Sequence, residues 1–190
     1  LGRSEPGCDH VRIDNAGAAA RAARHFIDLG LKRLAVAGSE SATPSIVERE
    51  RVFVETAERL GASVAVARGR DSDYAGGQQA AASLLGNGSP PQAVFCVNDL
   101  MALGLLDAAR NRFGLRVPRD LSVIGFDDIP EASWDAYRLS TFRQDPEEMA
   151  AEVIRQLERR LENPHAPDSV VQLDAAFIQR ESALAERQHA

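Results

Sequence analysis

Cysteine, histidine and lysine are all scarce in this chain, and each shortage excludes a class of function. Cys8 and Cys96 stand far apart with no close-spaced partner, so neither a disulfide framework nor a cysteine metal site is expected, and a reducing, cytoplasmic setting fits. His10, His25, His165 and His189 are equally scattered, and no metal and no cofactor is expected. Lys32 is the only lysine, and 22 basic residues face 28 acidic ones for a formal net charge of -6. A chain so balanced lacks, as a whole, the basic surface that gripping a phosphate backbone requires. No apolar run approaches the roughly 20 residues of a membrane-spanning helix. No signal peptide opens the sequence and its first residue is Leu1, so it reads as trimmed at its front.

What is present is globular material. Hydrophobic residues make up 44% and charged residues 26% of the 190, enough for one domain or a pair of small lobes with a core. Apolar runs of strand length alternate with segments of helical period, the pattern of an α/β fold with a parallel sheet flanked by helices. "RLAVAG" (33–38), "SVAVA" (63–67), "AVFCV" (93–97) and "SVIGF" (122–126) read as strands. Helices are expected over 16–29, 45–60, 74–85, 100–112 and 146–161, with Gly30 and Gly61 as stops and Pro146 in a first turn. Gly76 and Gly77, a lone pair inside a helical pattern, imply close helix packing. "VVQL" and "AAFIQRES" read as two short strands at the sheet edge, antiparallel.

Two strands end abruptly in polar pairs: "VFCV" runs into Asn98 and Asp99, and "VIGF" into Asp127 and Asp128. In an open α/β sheet, ligands bind outside the carboxyl ends of the strands, so the two tips are placed to line one crevice. Asp99 reads as a cap for the following helix. Asn98 serves equally as a cap or as a ligand contact, since its amide both donates and accepts. Asp127 opens no clear helix and reads as a binding residue, and Asp128 as a solvated or turn-forming carboxylate. Paired carboxylates do catalytic work only with a partner nucleophile, metal or divergent pKa values. There is no Gly-x-Ser-x-Gly elbow and no phosphate-cradling glycine loop, so enzymatic activity is not expected.

A family resemblance runs through "VRIDNAGAAARAARHFIDLGLKRLAVAG", "RERVFVETAERLG", "PPQAVFCVNDLMALGLLDAARNRFGLRVPRDLSVIGFDDI", "LSTFRQD" and "FIQRES". In that order these segments resemble the LacI/GalR family of bacterial transcription regulators. The resemblance implies a periplasmic-binding-protein-like fold with two lobes around an effector cleft, of which this chain holds the second lobe and remnants of the first. It assigns 1–30 to the end of the first lobe, 31–143 to the second lobe, 144–167 to a crossover and returning helix, and 168–190 to closing strands and a C-terminal tail. Operator DNA would be read only by a helix-turn-helix domain absent from this chain. The resemblance also implies that Arg49, Asn98, Asp127 and Gln144 face a small polar effector, a sugar or a sugar derivative, without covalent chemistry.

Departures from the family pattern bear on the ligand. The loop "RGRDSD" replaces the aromatic on which many relatives stack a sugar, and its Arg70, Asp71 and Asp73 point to a more polar effector or to a sugar held without stacking. Trp134 reads as a packing residue or a substitute wall, and Arg138 stands where the family has proline. The helix "DLMALGLLDAARNRF" is apolar around more of its circumference than one core face needs, which predicts a second buried face in a homodimer. A solute-binding protein of a sugar transporter has the same fold and cleft and would differ by an export signal.

Overall fold

A computed structural model describes residues 8–41 and 43–183. The first seven residues of the expected 1–30 segment and the tail expected at the end of 168–190 lie outside the described residues. Four parallel strands form the main sheet: β2 (Arg33–Ser39), β3 (Ser63–Gly69), β4 (Ala93–Cys96) and β5 (Ser122–Ile124), in the order β3-β2-β4-β5. β2, β4 and β5 read as unbroken apolar runs because both of their faces are covered. From β2 the chain moves outward to β3 through α2 (Pro44–Arg59), then back across to β4 through α3 (Tyr74–Leu85) and on to β5 through α4 (Asp99–Asn111). Right-handed crossovers therefore put α2 on one face and α3 and α4 on the other. The reversal of direction between β2 and β4 opens a crevice at their carboxyl ends.

Small residues set how closely the layers approach. A Cβ on Gly77 would run into the Met101 backbone carbonyl of α4, and one on Gly104 into the Tyr74 carbonyl of α3, so the two helices pack backbone to backbone. The other face is joined by α1 (Asn15–Asp28), an alanine-rich helix packed on α2. Its Phe26 meets Phe53 edge-on, and Phe53 stacks on Phe95 of β4 at 5.1 Å between centroids.

That packing divides the expected 1–30 segment. α1 shares the core of the four-stranded sheet, whereas β1 (His10–Ile13) pairs in parallel with β7 (Val170–Leu173) in a separate two-stranded sheet that α5 (Pro146–Glu162) packs against. β7 is thus not at the edge of the main sheet. β8 (Ala176–Ile178) is antiparallel, as expected, but to β6 (Thr141–Arg143) in a further two-stranded sheet. β6 in turn lies beside the end of β5, where Gly125 and Asp127 donate backbone N–H groups to Ser140 and Phe142 at 2.9 and 2.8 Å.

The apolar breadth of α4 is accounted for within one chain, which bears on what this helix implies and not on the expected homodimer itself. Its apolar residues Met101, Leu103, Leu105 and Leu106 are buried within this one chain by the sheet and α3, and Leu100 is its one large hydrophobic residue left exposed. The breadth of its apolar surface therefore needs no second subunit.

Candidate functional site

At the carboxyl ends of β4 and β5 lies a cavity of about 300 Å³. Arg49, Asn98, Asp127 and Gln144 all line it. Each arrives on a different element: Arg49 from the second turn of α2, Asn98 just past β4, Asp127 beyond β5, and Gln144 between β6 and α5. Val11, Arg12 and Ile13 of β1, Ile46 and Ser45 of α2, Thr43 before it and Met149 of α5 complete the wall.

Arg49 is almost wholly buried, 6% exposed, and its guanidinium is fixed on three sides. Its Nε donates to Asn15 Oδ1 at 2.7 Å and its Nη1 to the Val97 carbonyl at 2.7 Å. The ring of Phe126 supports it from below, 3.4 Å from the guanidinium carbon to the centroid. Burial lowers the pKa of Arg49 to about 10, partly offset by the negative charges of Asp127 and Asp99, so it stays cationic at neutral pH. Nη2 makes no hydrogen bond to any described residue.

Asp127 Oδ1 lies 3.7 Å from Arg49 Nη1 and accepts a hydrogen bond from the Gln144 amide. Burial raises the Asp127 pKa, while Arg49 and Gln144 pull it back. Its Oδ2 has no partner among the described residues. Arg49 and Asp127 thus both line the cavity, and each has one side-chain atom, Nη2 and Oδ2, with no hydrogen-bond partner among the described residues.

Asn98 lines the cavity and also caps: its Oδ1 accepts from Met101 N–H at 2.9 Å and its Nδ2 donates to the Ser72 carbonyl at 2.8 Å. The cap expected of Asp99 therefore belongs to Asn98. Asp99 is instead fully buried, accepting from Thr141 Oγ1 at 2.6 Å and from Ile129 N–H at 3.0 Å. Asp128, expected as a solvated or turn-forming carboxylate, has a left-handed backbone and a side chain only 5% exposed that pairs with Arg143 and Arg180.

Arg70, Asp71, Asp73 and Trp134 are not on the cavity wall. Asp73 caps α3, and Trp134 is exposed. Arg12, Asn15, Thr43 and Ser45 are polar wall residues the sequence reading missed, although at Asn15 "RIDN" carries the same apolar-to-polar switch that marked Asn98 and Asp127. Asp14 of that pair caps α1, accepting from Gly17 N–H at 2.8 Å.

A parallel sheet covered by helices on both faces, with its polar strand ends gathered into one cleft, is an architecture that binds ligands at those strand ends. A family model described as a periplasmic binding protein-like domain matches residues 23–183, and the chain belongs to that family. Its relatives include transcriptional repressors and LacI family transcriptional regulators. It is 35% identical over 178 residues to the HTH-type transcriptional repressor CytR of Escherichia coli (strain K12), covering 92% of this chain and 52% of that protein. The cellobiose complex of the transcriptional regulator CelR is 30% identical with a TM-score of 0.84, covering 96% of this chain and 56% of that one. A LacI family transcriptional regulator from Enterococcus faecium with bound ribose gives a TM-score of 0.85 at 25% identity, covering 97% and 69%. The chain spans about half the length of the curated repressor it matches.

Proposed function

We propose that this chain is the effector-binding part of a LacI-family transcriptional regulator, that its cavity holds a neutral polyhydroxy molecule, and that occupancy controls operator binding by the full-length protein. The observation that carries the reading is the buried Arg49 beside Asp127 at the sheet's reversal point, with Nη2 and Oδ2 both unengaged. A hydroxyl donates and accepts at once, so neighbouring hydroxyls of a sugar suit that pair, whose own charges nearly cancel and favour a neutral group beside them, while Arg12 on the β1 wall donates to Gln172. Val11, Ile13, Ile46 and Met149 supply an aliphatic wall for the C–H faces of a sugar in place of an aromatic platform. Relatives solved with ribose and with cellobiose support this ligand class.

Asn98 and Gln144 complete the proposed contact set with Arg49 and Asp127. β1, β7 and α5 are assigned to the first lobe, and α1 through β6 with β8 to the second. Regulation follows by linkage: an effector that binds one lobe arrangement more tightly shifts the regulator between DNA-competent and DNA-incompetent forms. The protein acts in the cytoplasm as a homodimer, without catalysis. The repressor names of its relatives favour this over a transporter's solute-binding protein.

A thermal-shift screen of neutral sugars, polyols, sugar acids and nucleosides, followed by calorimetry, tests the reading, because a ligand bound only to the folded state raises the melting point. A charge-assisted hydrogen bond contributes about 1.5 to 3 kcal/mol, so Asp127→Asn and Arg49→Lys should each weaken the identified ligand by roughly ten- to a hundredfold. Unchanged affinity in both variants would mean that the ligand sits elsewhere.

A further inference from the structure

The backbone that presents Asp127 is in an unfavourable conformation. Asp127 has φ 122° and Asp128 φ 57°, both in the left-handed half of the map where a Cβ crowds the neighbouring carbonyl. Two consecutive non-glycine residues persist there only when their surroundings over-determine them. The fixing contacts converge on Asp128, whose side chain is 5% exposed. Its Oδ2 accepts from Arg143 Nε at 2.6 Å and its Oδ1 from Arg180 Nη2 at 2.7 Å. Arg180 is itself anchored, donating from Nη1 to the Leu139 carbonyl at 2.8 Å and from its backbone N–H to Ser140 Oγ at 2.9 Å. Asp128 is not on the cavity wall, whereas Asp127 is. Arg143 is followed directly by Gln144, which donates to Asp127, so two consecutive strand-end residues are latched to two consecutive residues at the crossover into α5.

We propose that Asp128 is a positioning residue of the effector site: its ion pairs with Arg143 and Arg180 hold the left-handed backbone that aims the Asp127 carboxylate at Arg49 and Gln144. This rests on the reading of the cavity as an effector site. Asp128 acts through Asp127 and touches no effector itself.

The test is a carboxyl-carbon NMR titration of Asp127, assigned with Asp127→Asn, in the 190-residue chain and in Asp128→Asn, Asp128→Gly and Arg180→Gln. In the unaltered chain burial holds the Asp127 midpoint above 3.8. Freed from its latch, Asp127 turns to water and its midpoint falls toward that value in all three variants, while the Gln144 side-chain amide resonances move to solvent-exposed positions. Charge removal alone gives opposite signs, since losing Asp128 lowers the midpoint and losing Arg180 raises it, so a fall in both separates positioning from simple electrostatics. Asp128→Gly should also melt higher than Asp128→Asn, because glycine relieves the backbone, and yet show the same displaced Asp127. Should an Asp128 variant fail to fold, Arg180→Gln alone decides by the sign of its shift. A raised or unmoved midpoint in Arg180→Gln with unchanged Gln144 resonances overturns the proposal. No effector is needed for this readout, so a sugar screen that finds no ligand sinks the sensor reading alone, and a static Asp127 sinks the positioning role alone.

Discussion

Asp99 has no exposed surface and no ion-pair partner among the described residues, only hydrogen bonds from a hydroxyl and an amide. Burial, with Asp127 and Asp128 adding like charge, raises its pKa from 3.8 to about 6, although the Thr141 and Ile129 hydrogen bonds oppose the rise. A carboxyl that is harder to ionise when folded binds more protons in the native state between about 3.8 and about 6. Stability therefore declines as pH rises through that window and levels off above it, by an amount on the order of 3 kcal/mol from this group. Asp127, also raised, contributes in the same direction. Of the lowered carboxyls, Asp9 and Asp120 at about 2 act below the window, and Glu152, lowered from 4.5, opposes the decline only at the window's lower end. Asp99→Asn keeps an acceptor for Ile129 and gains a donor for Thr141, so its urea midpoint should depend less on pH between 4 and 6.5 than that of the unaltered chain. Equal slopes in the two proteins would show that Asp99 does not titrate there.

Among elements, the contact between α3 and α4 is the least tolerant of added volume. A methyl at Gly104 meets the backbone of Tyr74 and not the movable end of a side chain, so relief requires the helices to separate. Overpacking of this kind costs about 1 to 3 kcal/mol, and Gly104→Ala should lower the melting point by several degrees in a chain of this size. A melting point within a degree of the original would show that the helices can slide apart freely. The cap on α4 is a smaller matter: Asn98→Ala removes one satisfied helix amide and the Ser72 tie, for about 0.5 to 2 kcal/mol by thermal denaturation. Elements such as β2, β4 and β5 were legible because a strand covered on both faces must be apolar throughout. β6 was not, since three residues carry no period and its partner β8 lies more than thirty positions on. The same boundary runs through the site. The strand-end polar switch marked Asn98 and Asp127, whereas the burial of Asp99 and the Asp128–Arg180 pair depend on residues up to 52 positions apart that no local pattern connects.

At the scale of the molecule, the two sides of the cavity differ in how well they are built. The four-stranded sheet has helices on both faces, but α5 turns Val153, Ile154, Leu157 and Leu161 outward, with Leu161 71% exposed. The spacing of these four is that of a helix built to bury one face, yet among the described residues β1 is the element α5 chiefly packs against. In the chain as it stands those side chains remove little apolar area from water, so they contribute little to its folding free energy. Ile154→Glu and Leu157→Glu should therefore leave the melting point within about 2 °C, the range of ordinary surface changes, while Leu105→Glu, at a position with no exposed surface, should abolish folding. An exposed apolar stripe also promotes self-association, so the same two variants should sediment with less aggregate and bind less of a hydrophobic dye. If Ile154→Glu and Leu157→Glu instead destabilise the chain as a core substitution does, the outward face of α5 is covered in solution, and the cavity wall that Met149 contributes from the same helix is more firmly held than its packing on β1 implies.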